Sequence, residues 1–166
     1  PGIDDNGQLL SLHGRVQNTP ASNVKIVIED NPPYAISVIG EVSELTFKKS
    51  NLVTTTKFSI IPGSQSFSVH DTLTNKSDYD DEYQVIYHSN FGSPILEKGA
   101  KFTAAVSEIS PFNNYAKAGL KNWGTYLGPT KNFDEMVFNF KPIGDENGNT
   151  LAVLHNSLEN KGVSVA

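Results

Sequence analysis

The sequence of 166 residues predicts an all-β protein built from antiparallel sheets. About ten short runs rich in Val, Ile, Thr, Phe and Tyr alternate apolar and polar residues along the chain. Clusters of Gly, Pro, Asn and Asp separate these runs, as turns do. No window of 12 residues carries the apolar spacing of an amphipathic helix. Many short strands separated by turns are typical of an antiparallel sandwich or barrel.

The predicted strands follow one another along the chain. In order, they cover residues 24–29, 34–40, 44–50, 51–61, 65–74, 83–91, 101–107, 133–141, 150–155 and 162–165. Turns are predicted at residues 62–63, 75–77 and 145–149. The last turn contains Asn147-Gly148, which is the strongest hairpin signal in the sequence. The nearest helical candidate is 114–121, with one or two turns at most.

One stretch interrupts this succession of predicted strands and turns. Residues 108–132 contain no convincing strand, and they include Trp123, the only tryptophan. Long loops in compact domains are uncommon and often functional, so this loop either belongs to a site or covers a sheet edge. We expect a single β-sandwich domain over residues 1–166, with strands in 5–107 and 133–165.

The composition excludes several classes of function. Lys and Arg number 13 and Asp and Glu 18, so the net charge is −5 and nucleic-acid binding has no electrostatic basis. A run of about 18 apolar residues is absent, so we expect no membrane-spanning helix. The chain has no cysteine, which excludes disulfides and thiol catalysis and fits a reducing compartment. We therefore expect a cytoplasmic protein.

No metal or organic cofactor is predicted. The acidic stretch 76–82 lacks the spacing of an EF-hand loop, so we interpret it as a solvated surface. A cupin-type metal centre needs a His-x-His cluster followed by a Glu, and the sequence contains none. Zinc-finger sites are excluded because they use cysteine ligands, and the chain has no cysteine.

Three pairs of polar residues are each predicted to share a strand face. The pairs are His13 with Arg15, His88 with Asn90, and Glu135 with Asn139. Together they could supply a cationic donor, an imidazole that titrates near neutral pH, and a carboxylate. From the residues alone, it stays open whether the pairs converge on one site or lie apart on the surface.

The other histidines are expected to be ordinary structural or surface residues. In strand 65–74, alternation places His70 on the Ser/Thr side. The same alternation places Asp71 on the side of the apolar residues Phe67, Val69 and Leu73.

Two segments resemble the aldose 1-epimerase (galactose mutarotase) superfamily. They are LHGRVQNTPA at 12–21 and YHSNFGSPILEKGAKF at 87–102. The resemblance is closest to a bacterial branch, a domain of unknown function, which pairs a Leu-His-Gly-Arg motif with a His-x-Asn-Phe-Gly motif. Between the motifs lies a similar strand at 67–75, and downstream come Trp123 and a similar strand at 134–138. These landmarks agree in order over most of the chain.

The resemblance implies an antiparallel β-supersandwich that binds a sugar on a concave sheet. In mutarotases of this superfamily, an acid and a base open the sugar ring and so interconvert its anomers. By resemblance, His13 and Arg15 bind the sugar, His88 is the general acid and Asn90 is a positioning residue. This implies an isomerase of the aldose 1-epimerase type.

Two further roles are less direct. Glu135 is the candidate catalytic carboxylate, although it more nearly matches an acidic sugar-contacting position upstream of the base. Trp123 either covers an apolar sugar face or anchors the core. Because no Glu here matches the base, the alternative function is a sugar-binding module without turnover. A structural β domain without a pocket is a further alternative.

Relatives of this type are longer than the present chain. They carry strands before the first motif and after the position of residue 166. The resemblance therefore implies that this chain is a central or C-terminal portion. Half a supersandwich would expose strand edges, so we expect it to need the rest of its own chain or another copy to complete its sheets.

Overall fold

The computed structural model describes residues 2–3, 7, 9–47 and 50–166. Within these residues the chain forms eleven β-strands and two short 3₁₀ helices, and it divides into two compact units, Pro1–Val85 and Ile86–Ala166. Every strand pair in the described part is antiparallel. The predicted all-β, antiparallel fold class is therefore confirmed. Neither of the described helices is long and apolar enough to cross a membrane.

The first unit is built around a four-stranded sheet. Its strands, in spatial order, are β3 (Ser22–Ile28), β4 (Ile36–Leu45), β5 (Asn51–Ile60) and β6 (Phe67–Asn75). In the sequence before this sheet, β1 (Gly2–Ile3) pairs with β2 (Leu9–Leu10), and the 3₁₀ helix η1 (Val16–Asn18) follows. The connection from β5 to β6 contains Pro62 and Gly63, which favour a turn between two β-branched runs.

The two faces of this sheet differ in polarity. On one face, an apolar row crosses all four strands. It consists of Ile26, Val38, Phe58 and Val69, which are 38–69% exposed. The other face carries mainly Ser, Thr, Lys and Glu, and there the hydroxyl of buried Ser37 lies 2.9 Å from that of Ser59. Strand alternation produces this division, because successive side chains point to opposite sides.

The second unit contains two smaller sheets. One consists of β7 (Lys101–Ala104), β10 (Ala152–His155) and β11 (Gly162–Val165), with β10 in the centre. The other pairs β8 (Val106–Pro111) with β9 (Phe138–Pro142). The 3₁₀ helix η2 (Ala116–Asn122) lies in the connection between β8 and β9 and contacts β8.

Several predicted strands appear with shifted boundaries. The predicted strand 34–40 forms from Ile36 onwards as part of the longer strand β4, which takes in only the first two residues of the predicted strand 44–50. Thr46, Phe47 and Ser50 are not in a strand, and positions 48 and 49 lie outside the described residues. The predicted strand 101–107 is two strands, β7 and β8, so the predicted loop 108–132 begins only after Pro111. Within this loop, η2 confirms the short helical candidate at 114–121.

The predicted strand 83–91 and the hairpin at 145–149 are wrong, and the predicted strand 133–141 forms only from Phe138 onwards. Residues 83–91 form no strand, because no described strand pairs with them, and residues 133–137 are also irregular. The turn at 145–149 forms, but its flanking strands do not pair with each other. Instead β9 pairs with β8, and β10 pairs with β7 and β11. The prediction of a single domain over 1–166 stays a prediction.

Candidate functional site

The first motif, His13-Gly14-Arg15, lies in a turn between β2 and η1. Because β2 ends at Leu10, the placement of His13 and Arg15 on one strand face is wrong. The Gly14 N–H donates to the Ser11 carbonyl at 3.3 Å, and the Ser11 hydroxyl donates to the Gly14 carbonyl at 2.8 Å. Gly14 has a φ of +69°, which glycine adopts without the strain that a Cβ would add.

Arg15 is held through both its backbone and its side chain. The Arg15 carbonyl accepts hydrogen bonds from the Asn18 N–H at 3.1 Å and the Thr19 hydroxyl at 2.9 Å. Its Nη1 donates to the Thr46 hydroxyl at 3.0 Å, just past the end of β4. A guanidinium has five N–H groups, so this bond orients the side chain and leaves donors for a ligand. Arg15 and His13 are both exposed.

Thr46 is a contact that the sequence did not predict. It lies 31 positions from Arg15, in the turn between β4 and β5. No local pattern connects the two residues, since their contact arises only when η1 packs beside the end of β4.

The second motif contains His88 and Asn90 and lies in the irregular segment that follows β6. Both side chains are exposed. Because this segment is not a strand, the prediction that they share a strand face is wrong. The motif continues into a compact turn, where the Leu96 N–H donates to the Gly92 carbonyl at 2.8 Å and the Ser93 hydroxyl donates to Glu97 at 2.8 Å.

Trp123 belongs to an aromatic cluster in the second unit. Its ring centroid lies 5.1 Å from that of Phe140 on β9 and 6.1 Å from that of Phe102 on β7, in an edge-on arrangement. These separations lie in the range of favourable aromatic contacts. The side chain is half-buried, so the cluster covers only part of the ring. Trp123 thus has a packing role, and its role towards a sugar stays a prediction.

Glu135 is exposed and lies in the irregular segment before β9. Its N–H donates to Asp134 Oδ1 at 2.8 Å, and the Asp134 N–H donates to the Tyr115 hydroxyl at 3.2 Å. Asn139 lies on β9, opposite Ser110. The prediction that Glu135 and Asn139 share a strand face is therefore wrong, because the strand begins after Glu135.

The six predicted site residues fall into two groups along the chain. His13 and Arg15 belong to the first unit. The second unit contains His88, Asn90, Trp123 and Glu135. Their roles stay predictions. Among the residues that the structure describes, no group of three or more His, Cys, Asp or Glu side chains could hold a metal ion.

Comparison with known families identifies the class of this β protein. The chain belongs to the family described as "Domain of unknown function (DUF4432)", whose model matches residues 1–166. It is also similar to the crystal structure of a putative aldose 1-epimerase from Klebsiella pneumoniae subsp. pneumoniae MGH 78578, at 58% identity and a TM-score of 0.93. The match covers 96% of this chain and 41% of that chain. No curated protein matches the sequence.

These similarities confirm the superfamily and the fold type that the two motifs indicated. The chain spans less than half of the K. pneumoniae protein. Its predicted position as a central or C-terminal portion of such a protein stays a prediction.

Proposed function

We propose that this chain belongs to a sugar-binding protein of the aldose 1-epimerase type, which interconverts the anomers of a free sugar. The similarity to the K. pneumoniae protein over nearly the whole chain is the observation that carries this proposal. The two motifs around His13 and His88 agree with it, because they indicate the same superfamily from the sequence.

Anomer interconversion needs one base and one acid. The base removes the proton of the C1 hydroxyl while the acid protonates the ring oxygen, and the C1–O bond of the ring opens. After rotation about C1–C2, the ring closes on the other face and both protons return. The oxidation state does not change, and each proton transfer contributes about 10²–10⁴-fold to the rate.

His88 is the proposed acid, since an imidazole can give and take back a proton near neutral pH. Glu135 is the carboxylate that this chain offers as a base, and Asn90 would orient the sugar by hydrogen bonds. Both Glu135 and His88 are exposed, so a sugar can reach them from solvent.

Binding is assigned to the remaining residues. Arg15 would form a forked contact to two neighbouring hydroxyls, with its guanidinium oriented by Thr46. His13 would add a hydrogen bond from the same turn. The exposed part of Trp123 would cover an apolar face of the sugar.

We further propose that the functional protein needs more sheet than this chain supplies, either from further chain or from another copy. The apolar row on one face of the β3–β6 sheet supports this, because neighbouring apolar side chains that stay exposed on a sheet are a surface that another element can cover.

Optical rotation tests the proposed function. Freshly dissolved α-glucose or α-galactose should lose its anomeric excess faster with the protein than without it, and His88→Ala should abolish the acceleration. His155→Gln is the matched control, because His155 lies on β10 with no proposed role. Saturable sugar binding without acceleration would support the alternative, a binding module. Absence of both binding and acceleration would overturn the proposal.

A further inference from the structure

A strip of polar side chains crosses β5 and β6 on the polar face of the first sheet. The strand register sets three pairs directly opposite each other. They are Thr55 with Thr72, Lys57 with His70, and Ser59 with Ser68. Opposite residues of an antiparallel pair point to the same side with Cβ atoms about 4.5–5.5 Å apart. We call these six side chains the Lys57–His70 strip.

The strip presents hydrogen-bond donors to solvent. Lys57, Ser68, His70 and Thr72 are exposed. Within the described part of the chain, none of these four side chains has a hydrogen bond or an ion pair with the protein. Ser59 differs, because its hydroxyl pairs with Ser37. The strip is therefore an array of solvent-exposed donors that a ligand can reach.

Charged side chains of both signs flank the strip. On β3 and its extension, Lys25 lies beyond Ile39, and Glu29 lies on the same face past Val27 and Ser37. Glu41 lies beside Thr55, and its carboxylate accepts a hydrogen bond from Asn23 at 2.6 Å. The end of the strip next to Glu41 is therefore the less favourable one for an anion.

Lys57 and His70 face each other across β5 and β6, so both side chains can donate hydrogen bonds to one anion bound between them. Asp71 does not neutralise Lys57, because it lies on the apolar face and accepts a hydrogen bond from Thr56.

The strip is separate from the proposed sugar contacts of Arg15. Arg15 is bonded to Thr46, in the turn that precedes Asn51. Lys57 follows Asn51 by six positions in β5, which corresponds to about 20 Å along the strand. A pyranose ring is too small to reach both positions, so the strip would form a site of its own.

We propose that the Lys57–His70 strip binds a tetrahedral oxyanion, in particular the phosphate group of a small phosphomonoester. Lys57 supplies the charge, while the His70 N–H and the Ser68 hydroxyl donate to the phosphate oxygens. The phosphate sits towards Ser59 and Ser68, away from Glu41.

Titration of the full chain with inorganic phosphate at constant ionic strength tests this site, with the imidazole signals of His70 followed by NMR. We expect a saturable shift with a Kd of about 1 mM, as for an exposed site with few contacts. Lys57→Gln should raise the Kd about tenfold, because a charge-assisted hydrogen bond is lost. The charge-matched control Lys121→Gln, in η2, should change it by less than about twofold.

A second variant should change the Kd for phosphate in the opposite direction. Glu41→Gln removes the nearby negative charge and should lower the Kd for phosphate. Tighter binding of glucose 6-phosphate than of phosphate would identify a phosphorylated sugar as the ligand, and equal affinity would identify the free ion. A shift that chloride reproduces, or a Kd that Lys57→Gln leaves unchanged, would overturn the proposal. His88→Ala should not affect this titration, so the site can fail or hold independently of sugar turnover.

Discussion

Gly124 and Phe102 approach each other so closely that no side chain fits at Gly124. The Phe102 N–H donates to the Gly124 carbonyl at 2.8 Å, and a Cβ on Gly124 would lie 2.7 Å from the Phe102 carbonyl oxygen. The Tyr126 N–H donates to the Ala100 carbonyl at 2.9 Å. The segment after η2 is thereby fixed along β7, and this contact keeps Trp123 beside the Phe102 ring.

Gly124→Ala should therefore lower the free energy of unfolding by about 1–3 kcal/mol, because the backbone must move to admit the new methyl group. Urea unfolding followed by tryptophan fluorescence measures this, and Trp123 is the only source of that signal. Gly92→Ala is the control, since a Cβ there would have no atom within 4 Å. Equal stability of Gly124→Ala and the original chain would contradict the close approach.

The hydrogen bond between Arg15 and Thr46 predicts that substitutions at these two residues raise KM and leave kcat nearly unchanged. Arg15→Lys keeps the charge but loses the planar fork, so KM should rise about tenfold while kcat stays nearly constant. Thr46→Val should raise KM by a smaller factor, since it removes only the hydroxyl that orients the guanidinium. Thr74→Val removes a hydroxyl elsewhere in the same sheet and should leave KM unchanged. A fall in kcat with constant KM would contradict the binding role of Arg15.

Asn156 joins β10 to β11 through its side chain. It is 4% exposed; its Nδ2 donates to Asn160 Oδ1 at 2.8 Å, and its Oδ1 accepts from the N–H groups of Asn160 and Lys161. Asn156→Ala should lower the free energy of unfolding by about 1–3 kcal/mol, because the hydrogen bonds of its side chain to Asn160 and Lys161 are lost together. Ser157→Ala is the neighbouring control and should stay within about 0.5 kcal/mol of the original chain, as exposed substitutions usually do. Thermal unfolding of both variants and the original chain measures the difference. If Asn156→Ala has the same Tm as the original chain, the role of Asn156 is refuted.

Strands that pair with neighbours in sequence could be predicted well. The strands β5 and β6 begin and end within two residues of their predicted limits, because β-branched runs and a Pro62-Gly63 turn specify them locally. Their faces were also correct: Asp71 lies with Phe67 and Val69, and His70 lies on the opposite side. Strand alternation alone therefore predicts that the side chains of the Lys57–His70 strip share a face. The three facing pairs follow only from the observed register.

Features that depend on distant partners could not be predicted. Residues 83–91 have strand composition but no pairing strand among the described residues, and propensity alone does not form a strand. At 145–149 the turn is local and correct, whereas the pairing of β10 with β7 joins residues far apart in sequence. The partner of Arg15, Thr46, also lies outside any local pattern. Motif recognition thus found candidate residues, while strand alternation assigned their faces wrongly.

The turn that contains Asp145 predicts a pH dependence of stability. The Asn149 N–H and side-chain amide, together with the Asn147 N–H, hydrogen-bond to the Asp145 carboxylate and lower its pKa below the ordinary value. A lowered folded-state pKa adds stability above the unfolded-state pKa, and this stability is lost as pH falls through the folded-state value. Asp145→Asn should therefore be less stable than the original chain at neutral pH, and the difference should vanish in strong acid.

A pH series of urea unfolding curves measures this difference, and a carboxyl NMR titration gives the pKa directly. Glu146→Gln removes a neighbouring acid that accepts no hydrogen bond from the described residues and should not reproduce the pH dependence. A constant stability difference across the pH range would show that the Asp145 hydrogen bonds do not depend on its charge.

The apolar face of the β3–β6 sheet predicts the behaviour of this chain in isolation. Phe67 is 67% exposed and stacks on Phe58 at 4.9 Å between ring centroids, and Ile26 is 69% exposed at the other side of the sheet. Exposed apolar area associates in water, with a gain of about 25 cal/mol per Å² buried, so the 166-residue chain should self-associate at micromolar concentrations. Phe67→Ser should weaken this association in analytical ultracentrifugation, whereas Tyr79→Ser, at an exposed loop, should not. A monodisperse monomer that melts cooperatively would contradict the need for further chain or a second copy, because such a monomer would tolerate this face in water.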